Sequence, residues 1–280
     1  MLLDGQKILI TGTYGFLGRF LANKFSKLGA TIYGIGHGNL SSKDLLDNGI
    51  ANYVCNELNI STLKEACANP NKIIHCASSA SVPYSVFNPK EDFERTVNST
   101  LAVLEFMRLH AKDAQLVIPS SAAVYGQKEK YPISVNAKIK PVSPYGNSKR
   151  IAEKLSKFYG NYFKLRISIV RFFSLYGPGL KKQLLWDACK KAILGNHIYH
   201  GTGLETRDWI YIEDAASLIL LALENSSIST PILNGGTGEA ISIKELLIYL
   251  YKELGIDVRP NFSGIVREGD PLYFEADIKE

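Results

Sequence analysis

The chain of 280 residues is 46 % hydrophobic and 21 % charged, which excludes a disordered protein and suffices for a buried core in one large domain or two unequal ones. Its 32 Lys and Arg against 27 Asp and Glu leave a net charge of +5 that is spread along the chain, without the basic stripe of a nucleic-acid binder. The longest apolar stretch, Ala215 to Leu223, is half of the ~20 residues a membrane span needs, so neither nucleic acid nor membrane is an expected partner.

In chain order, β-rich runs predict strands over Lys7–Thr11, Thr31–Ile35, Lys72–Cys76, Leu116–Ser120 and Ile167–Phe172. Between them, helical apolar spacing covers Phe16–Leu28, Thr62–Ala68, Phe93–His110 and Tyr145–Tyr159. Apolar strands alternating with helices predict an α/β protein with a doubly wound parallel sheet. After Tyr176 the pattern changes: a Gly177-Pro178-Gly179 turn precedes a helix over Leu184–Leu194, a strand over Arg207–Ile212 and a helix over Asp214–Leu223. A loop at Asn234–Gly238, a helix over Ile243–Leu254 and a Pro/Gly-broken tail to Glu280 complete the chain. The expected division is a main domain over 1–172, joined by a returning segment near 207–224, and a smaller C-terminal α/β lobe over 173–280.

Cys55, Cys67, Cys76 and Cys189 form no CxxC pair, and His197 and His200 lack carboxylate support, so no metal is expected. Asp4 and Gly5 interrupt the start before an apolar leader forms, and the cysteines read as free thiols of a reducing, cytoplasmic compartment.

The first predicted strand runs directly into Gly12-Thr13-Tyr14-Gly15-Phe16-Leu17-Gly18 and then into a helix. A tight turn of residues without Cβ lets backbone N–H groups approach a pyrophosphate, and the helix N-terminus adds a positive dipole end. The G-x-x-G-x-x-G spacing differs from the G-x-G-x-x-G dinucleotide fingerprint, and a glycine turn alone needs no ligand; its place after the first strand favours the phosphate reading. The second strand ends in Gly36-His37, where many dinucleotide sites carry an acid for the ribose hydroxyls. Gly36 leaves room for a 2′-phosphate near His37, Lys43 or Arg19, a lean toward NADP tolerance, unless an NAD site simply manages without the acid.

Tyr145-Gly146-Asn147-Ser148-Lys149, behind Pro144, places Tyr145 and Lys149 one helical turn apart. A phenol with a pKa of ~10 is a poor base, and the Lys⁺ is expected to favour its phenolate. Ser120 and Ser121 end the fourth predicted strand, at the sheet edge where ligands of open α/β sheets bind. Tyr145 would exchange a proton with a sugar hydroxyl, steadied by Ser121, as hydride moves at the same carbon.

These residues resemble the extended short-chain dehydrogenase/reductase family, in its nucleotide-sugar epimerase/dehydratase branch. The resemblance spans nearly the whole chain and implies a Rossmann-type cofactor domain over 1–172 with a substrate lobe over 173–280. It implies Gly12, Tyr14, Gly15, Phe16, Leu17 and Gly18 as the cofactor loop, and Cys76, Ala77 and Ser78 beside the adenosine ribose. Asn98 matches a structural Asn of the central helix, Asn59 and Ile60 stand at the adenine contact, and Gly36 and His37 complete the NAD or NADP site. Ser121, Tyr145 and Lys149 match the catalytic residues; Ser174 stands where the family carries Asn, and Arg207 matches the Arg that grips the nucleotide-sugar diphosphate. Ala122 and Ala123 replace the Asp-Glu pair of the 4,6-dehydratases, so dehydration is not expected.

The resemblance further implies a homodimer paired around Phe93–His110 and Ser148–Tyr159, and relatives that continue past Glu275–Glu280, so the lobe is either short or truncated. The first functional expectation is C4 epimerisation of a nucleotide-diphosphate sugar through a 4-keto sugar. An NADPH-dependent 4-keto reductase and a non-catalytic dinucleotide sensor stay open beside it.

Overall fold

The structure, a computed structural model, describes residues 2–79, 81–129, 131–265 and 272–279. Residues 266–271 of the predicted tail, and Glu280, lie outside the described residues. The first half comprises β1 (Lys7–Thr11), α1 (Phe16–Lys27), β2 (Thr31–Gly36), α2 (Ser42–Asp47), β3 (Ile50–Cys55), α3 (Ile60–Ala66) and β4 (Lys72–His75). There follow α4 (Val82–Phe87), α5 (Pro89–Phe93), a π turn (Glu94–Asn98), α6 (Ser99–His110), β5 (Gln115–Ser121) and α7 (Pro144–Phe163). The second half adds β6 (Arg166–Phe172), β7 (Ser174–Tyr176), α8 (Gln183–Ile193), β8 (Ile198–Tyr199), β9 (Thr206–Tyr211) and α9 (Ile212–Glu224). It ends with β10 (Ile232–Gly235), β11 (Ala240–Ser242), α10 (Ile243–Glu253) and β12 (Asn261–Phe262).

Seven strands form one sheet in the order β10-β6-β5-β4-β1-β2-β3, every neighbouring pair parallel. Strand alternation divides the core between its two faces. Ile8 and Ile10 of β1 pack with Leu21 and Phe25 of α1 and Ile219 of α9. Leu9, between them, packs on the opposite face with Val103, Phe106 and Met107 of α6. The chain passes from β1 to β2 on one side and to β4 on the other, so the strand order reverses at β1. A doubly wound sheet opens a crevice at that point, beyond the C-terminal strand ends.

Two expectations are corrected here. Ile50–Cys55 is a strand that the hydrophobic pattern hid: it is the sheet edge, and only Ile50 and Val54 are buried. The later strand that joins the main sheet is β10, not Arg207–Ile212. Of the returning segment, α9 packs on the main sheet, whereas β9 pairs with β7 and β11 in a separate three-stranded sheet. Asn234 and Gly235, expected in a loop, therefore belong to a strand.

One buried carboxylate fastens this C-terminal layer. Asp208, fully buried on β9, accepts hydrogen bonds from Thr237 N (2.7 Å), Thr237 Oγ1 (2.9 Å), Gly238 N (3.0 Å) and Ala276 N (3.1 Å). Asp208→Ala strands those donors, and the expected cost is about 3 kcal/mol, or roughly 6 °C or more in Tm. Calorimetry should show that loss and limited proteolysis should newly cut near 272–279; an unchanged Tm would contradict it. Among the described residues, no helix is long and apolar enough to cross a membrane.

Candidate active site

A cleft of about 990 Å³ opens at the C-terminal ends of β1, β2, β4, β5 and β6. That volume lies at the upper end of the roughly 300–1,000 Å³ of small-molecule sites. Its floor is the turn from β1 into α1, where Gly12 and Gly18 are sterically required. A Cβ on Gly12, at φ +70°, would lie 2.7 Å from Ala77 N, and one on Gly18 would lie 2.4 Å from Gly12 O. The β1 turn thus touches the β4 loop backbone to backbone. Gly15 is the N-cap of α1 with no side-chain cap bond, and the first turn holds no acid. The first N–H groups of that helix face the cleft with a positive dipole end and no competing carboxylate.

A polar layer behind the turn fixes it. Thr11 Oγ1 lies 2.8 Å from His75 Nδ1 and accepts from Ala77 N at 3.1 Å, while His75 Nε2 lies 3.2 Å from Thr100 Oγ1. Burial, with the Lys149 charge adding to it, pushes the His75 pKa down from 6.5 to about 3. The folded ring stays neutral while the unfolded chain binds a proton below 6.5, so this contribution to stability is whole above 6.5 and is lost as pH falls toward 3. Between pH 6.5 and 4.5 the loss should amount to about 2–3 kcal/mol. Urea unfolding should give His75→Gln a pH slope shallower by that amount; parallel slopes would contradict the assignment.

At the β2 end, Gly36 and His37 line the cleft as expected, but the room beside Gly36 is limited: a Cβ there would lie 3.2 Å from the Tyr53 hydroxyl. Arg19 stacks over Tyr14 (5.3 Å) and pairs with Asp44 at 3.6 Å, so its charge is already engaged, and Lys43 is not among the lining residues. Asn59 and Ile60 do not reach the cleft. Asn59 caps α3, its Oδ1 accepting from Thr62 N at 3.0 Å, and Glu57 and Leu58 line the cleft just before it. Cys76, Ala77 and Ser78 line the cleft beyond β4, with the Cys76 thiol pushed by burial up to about 12 and hence unreactive. Asn98, at the end of the π turn, lines it too, and this helix is tied to the β4 loop by Thr96, whose Oγ1 accepts from Ser79 N at 3.2 Å, and by Ser99, whose Oγ donates to Ala77 O at 3.5 Å.

Ser121 ends β5, and Tyr145 and Lys149 rise one turn apart on α7, which Ser143 caps by accepting from Gly146 N at 3.2 Å. The Ser121 side chain lies beside the Tyr145 phenol and opposes the rise of its pKa. Lys149, buried, donates to Ser78 Oγ (2.9 Å) and Pro119 O (3.0 Å), and its Nζ stands 5.9 Å from the Tyr145 ring centre. Loss of solvent outweighs the expected pull toward phenolate: burial pushes the Tyr145 pKa up to about 12, against the Ser121 hydroxyl, with the Asp92 charge adding to the rise. Burial likewise lowers Lys149 to about 8, opposed by the charges of Cys76, Asp92 and Glu153.

Two predicted substrate residues stand outside the lining. On β7 Leu175 lines the cleft, as does Phe173 just before it, while Ser174 between them alternates away. Arg207 donates to Thr206 O (2.8 Å) and Leu272 O (3.4 Å) and stacks on Phe274, so its planar head is engaged by the chain's last segment.

Sequence reasoning missed a buried network behind Ser121, Tyr145 and Lys149. Glu153, one turn beyond Lys149, accepts from Ser120 Oγ (2.6 Å), Arg171 Nε (3.0 Å) and Arg171 Nη2 (2.8 Å). Arg171 Nη1 donates to Tyr125 Oη (3.0 Å), which donates to Asn234 Oδ1 (2.6 Å). Glu153 was visible as the residue four beyond Lys149; its partners on other strands were not. Among the described residues no group of three or more His, Cys, Asp or Glu is placed to hold a metal ion.

The sequence model of the NAD dependent epimerase/dehydratase family matches residues 8–235. The chain belongs to that family. It is 31 % identical over 318 residues to the CDP-paratose 2-epimerase of Salmonella typhi, covering 98 % of this chain and 92 % of that one. The structure of UDP-glucuronic acid 4-epimerase from Bacillus cereus, in complex with UDP-glucuronic acid and NAD, is 25 % identical over 97 % of this chain and 90 % of that one, with a TM-score of 0.85. The UDP-glucose 4-epimerase of Thermotoga maritima shares the fold, with a TM-score of 0.88 at 23 % identity over 98 % of this chain and 90 % of that one. The glycine turn and Ser121, Tyr145 and Lys149 line one cleft of this chain.

Proposed function

We propose that this family member is a nucleotide-sugar epimerase that inverts a ring carbon, C4 first among them, through a transient keto sugar. The observation that carries this reading is the meeting of Ser121, Tyr145 and Lys149 with the glycine turn in one cleft. The residues fit a nicotinamide dinucleotide: a Cβ-free cradle, an uncapped helix N-terminus without acids, and a cleft long enough to run from His37 to Tyr145. Gly12, Tyr14, Gly15, Phe16, Leu17 and Gly18 would hold the pyrophosphate, and Gly36, His37, Glu57 and Leu58 the adenosine end. Cys76, Ala77 and Ser78 would lie beside the adenosine ribose with Asn98 near them, and Lys149 would hold the nicotinamide ribose. Bound there, the cofactor supplies a reversible hydride acceptor.

The chain's own residues handle the proton. Tyr145, in its phenolate form, takes the proton from the sugar hydroxyl and returns it to that sugar oxygen once the carbon has inverted. Ser121, beside the phenol, would steady the reacting oxygen. Lys149 keeps a positive charge beside a phenol that burial otherwise holds protonated, anchored on Ser78 and Pro119. No net proton is consumed, whereas a reductase must draw one from solvent at every turnover. Ala122 and Ala123, directly after Ser121, offer no acid–base pair for elimination.

The same reading assigns cofactor binding to 1–172 together with α9 and β10, which pack on and join the main sheet, and the sugar to the rest of 173–280. It also includes pairing of two copies through α6 and α7, which expose Leu101, Leu109, Phe158 and Tyr162. Light scattering should return a dimer; a monomer at micromolar concentration would remove that part. The function is tested by a mass-spectrometric and NMR screen of UDP- and CDP-sugars with NAD and NADP supplied separately. An equilibrium between two epimers without net cofactor oxidation or reduction is expected. Stoichiometric NADPH consumption, or loss of water from the sugar, would overturn it.

A further inference from the structure

We propose that Glu153, clamped by Arg171, is a positioning residue that holds the end of β5 against the catalytic helix and so fixes Ser121 and Lys149 relative to Tyr145. The inference rests on the epimerase reading for its kinetic test and on geometry for its content.

β5 and α7 must meet in one register for the site to exist, because Ser121 is on the strand and Tyr145 and Lys149 are on the helix. Within β5, Pro119 gives its carbonyl to Lys149 Nζ at 3.0 Å, Ser120 gives its hydroxyl to Glu153 at 2.6 Å, and Ser121 turns to the Tyr145 phenol. Two consecutive strand residues thus bond to Lys149 and Glu153 and the third, Ser121, lies beside Tyr145, the three helix residues sharing one face at i, i+4 and i+8. Glu153 is 5 % exposed and Arg171 is 4 % exposed, so neither is a solvated surface charge. Arg171 takes both carboxylate oxygens, which leaves Glu153 one orientation, with Oε1 on the Ser120 hydroxyl. Its Nη1 donates in addition to Val135 O (2.9 Å), in the loop that leads toward Tyr145, so the clamp also steadies that approach.

The charge has a second consequence. Lys149 is faced by Cys76 from β4, Asp92 from α5, His75 behind the β1 turn, and Tyr145 and Glu153 from its own helix. Neutralising Glu153 removes one of the negative groups that favour the ammonium. The alkaline side of the pH profile should therefore move to lower pH.

The test compares Ser120→Ala, Glu153→Gln and Glu153→Asp with the wild type. Ser120→Ala removes only the strand-to-clamp bond, leaves the ion pair whole, and is expected to fold with an unchanged circular-dichroism spectrum. It should lower kcat about tenfold with little change in KM, as a misplaced catalytic hydroxyl does. Glu153→Gln should lower kcat further and shift its alkaline limb to lower pH, and Glu153→Asp should restore part of the limb. Heteronuclear NMR of isotopically labelled lysine, with the Lys149 resonance assigned from Lys149→Met, reads the same titration without turnover. A Lys149 titration that moves in Glu153→Gln supports the proposal even if no sugar is converted, in which case only the epimerase reading fails. If Ser120→Ala and every folded Glu153 variant keep wild-type kcat, alkaline limb and Lys149 titration, the pair is structural alone and the proposal is wrong.

Discussion

Tyr145→Phe should cost about three orders of magnitude in kcat while leaving the fold and the affinity for the dinucleotide unchanged. The substitution removes one oxygen atom and keeps the ring, so the packing between α7 and α4, including the Tyr145 N to Ser85 Oγ bond of 3.1 Å, is retained. What disappears is the group that receives the sugar proton beside Ser121. The loss should fall on kcat, because the phenol acts in the transition state rather than in holding the substrate. Tyr145→Phe with unchanged turnover would place the proton transfer elsewhere. A pH profile sharpens the point: with burial holding the phenol up to about 12, wild-type turnover should rise toward alkaline pH until Lys149, lowered to about 8, loses its charge.

Gly12→Ala is the second large effect, and it acts on the cradle. The new methyl group would stand 2.7 Å from Ala77 N and 2.9 Å from Ala77 Cα, in a backbone conformation with φ +70° that L side chains rarely adopt. Both contacts are backbone, so neither can rotate away, and the turn must separate from the β4 loop. The expected destabilisation is about 2–4 kcal/mol, from overpacking and strain together. Dinucleotide affinity should fall at least about tenfold, since the N–H groups that approach the pyrophosphate move with the turn. Gly15→Ala serves as the contrast: its methyl would meet only Gly12 O, at 3.2 Å, and it should be tolerated far better. Equal behaviour of the two variants in calorimetry and cofactor titration would contradict this division of roles.

Much of the fold was legible where one face or both faces of a strand are buried. β1, β2, β4, β5 and β6 read as continuous apolar runs because helices cover both sides of the sheet. β3 did not, since an edge strand with two buried residues leaves no run to see. β10 ends in Asn234-Gly235 and resembles a turn; it is a strand because it pairs with β6, a contact about sixty residues away in the chain that no local signal carries.

The candidate site divides in the same way. The glycine turn and the Tyr145–Lys149 spacing are local geometry and survive intact in the structure. Asn59 carries a second, structural signal: Asn-x-x-Thr ahead of an apolar run is a capping box, and the structure uses it as one. Glu153, Arg171, Tyr125 and Asn234 form a network only because β5, β6 and β10 lie side by side, and their order is a property of the sheet. Arg207 shows the limit of matching a motif residue by residue, because its surroundings are set by Leu272 and Phe274 at the other end of the chain.

The central claim is that the ring carbon loses and regains its own hydrogen while Tyr145 carries only the hydroxyl proton. It is tested most directly by running the conversion of a nucleotide sugar to its epimer in deuterium oxide and reading the inverted carbon by NMR. The account predicts an epimer that retains its carbon-bound hydrogen, with no deuterium at that position and no net change in the cofactor. Deuterium on the inverted carbon would show that solvent protons reach it, and would contradict the account.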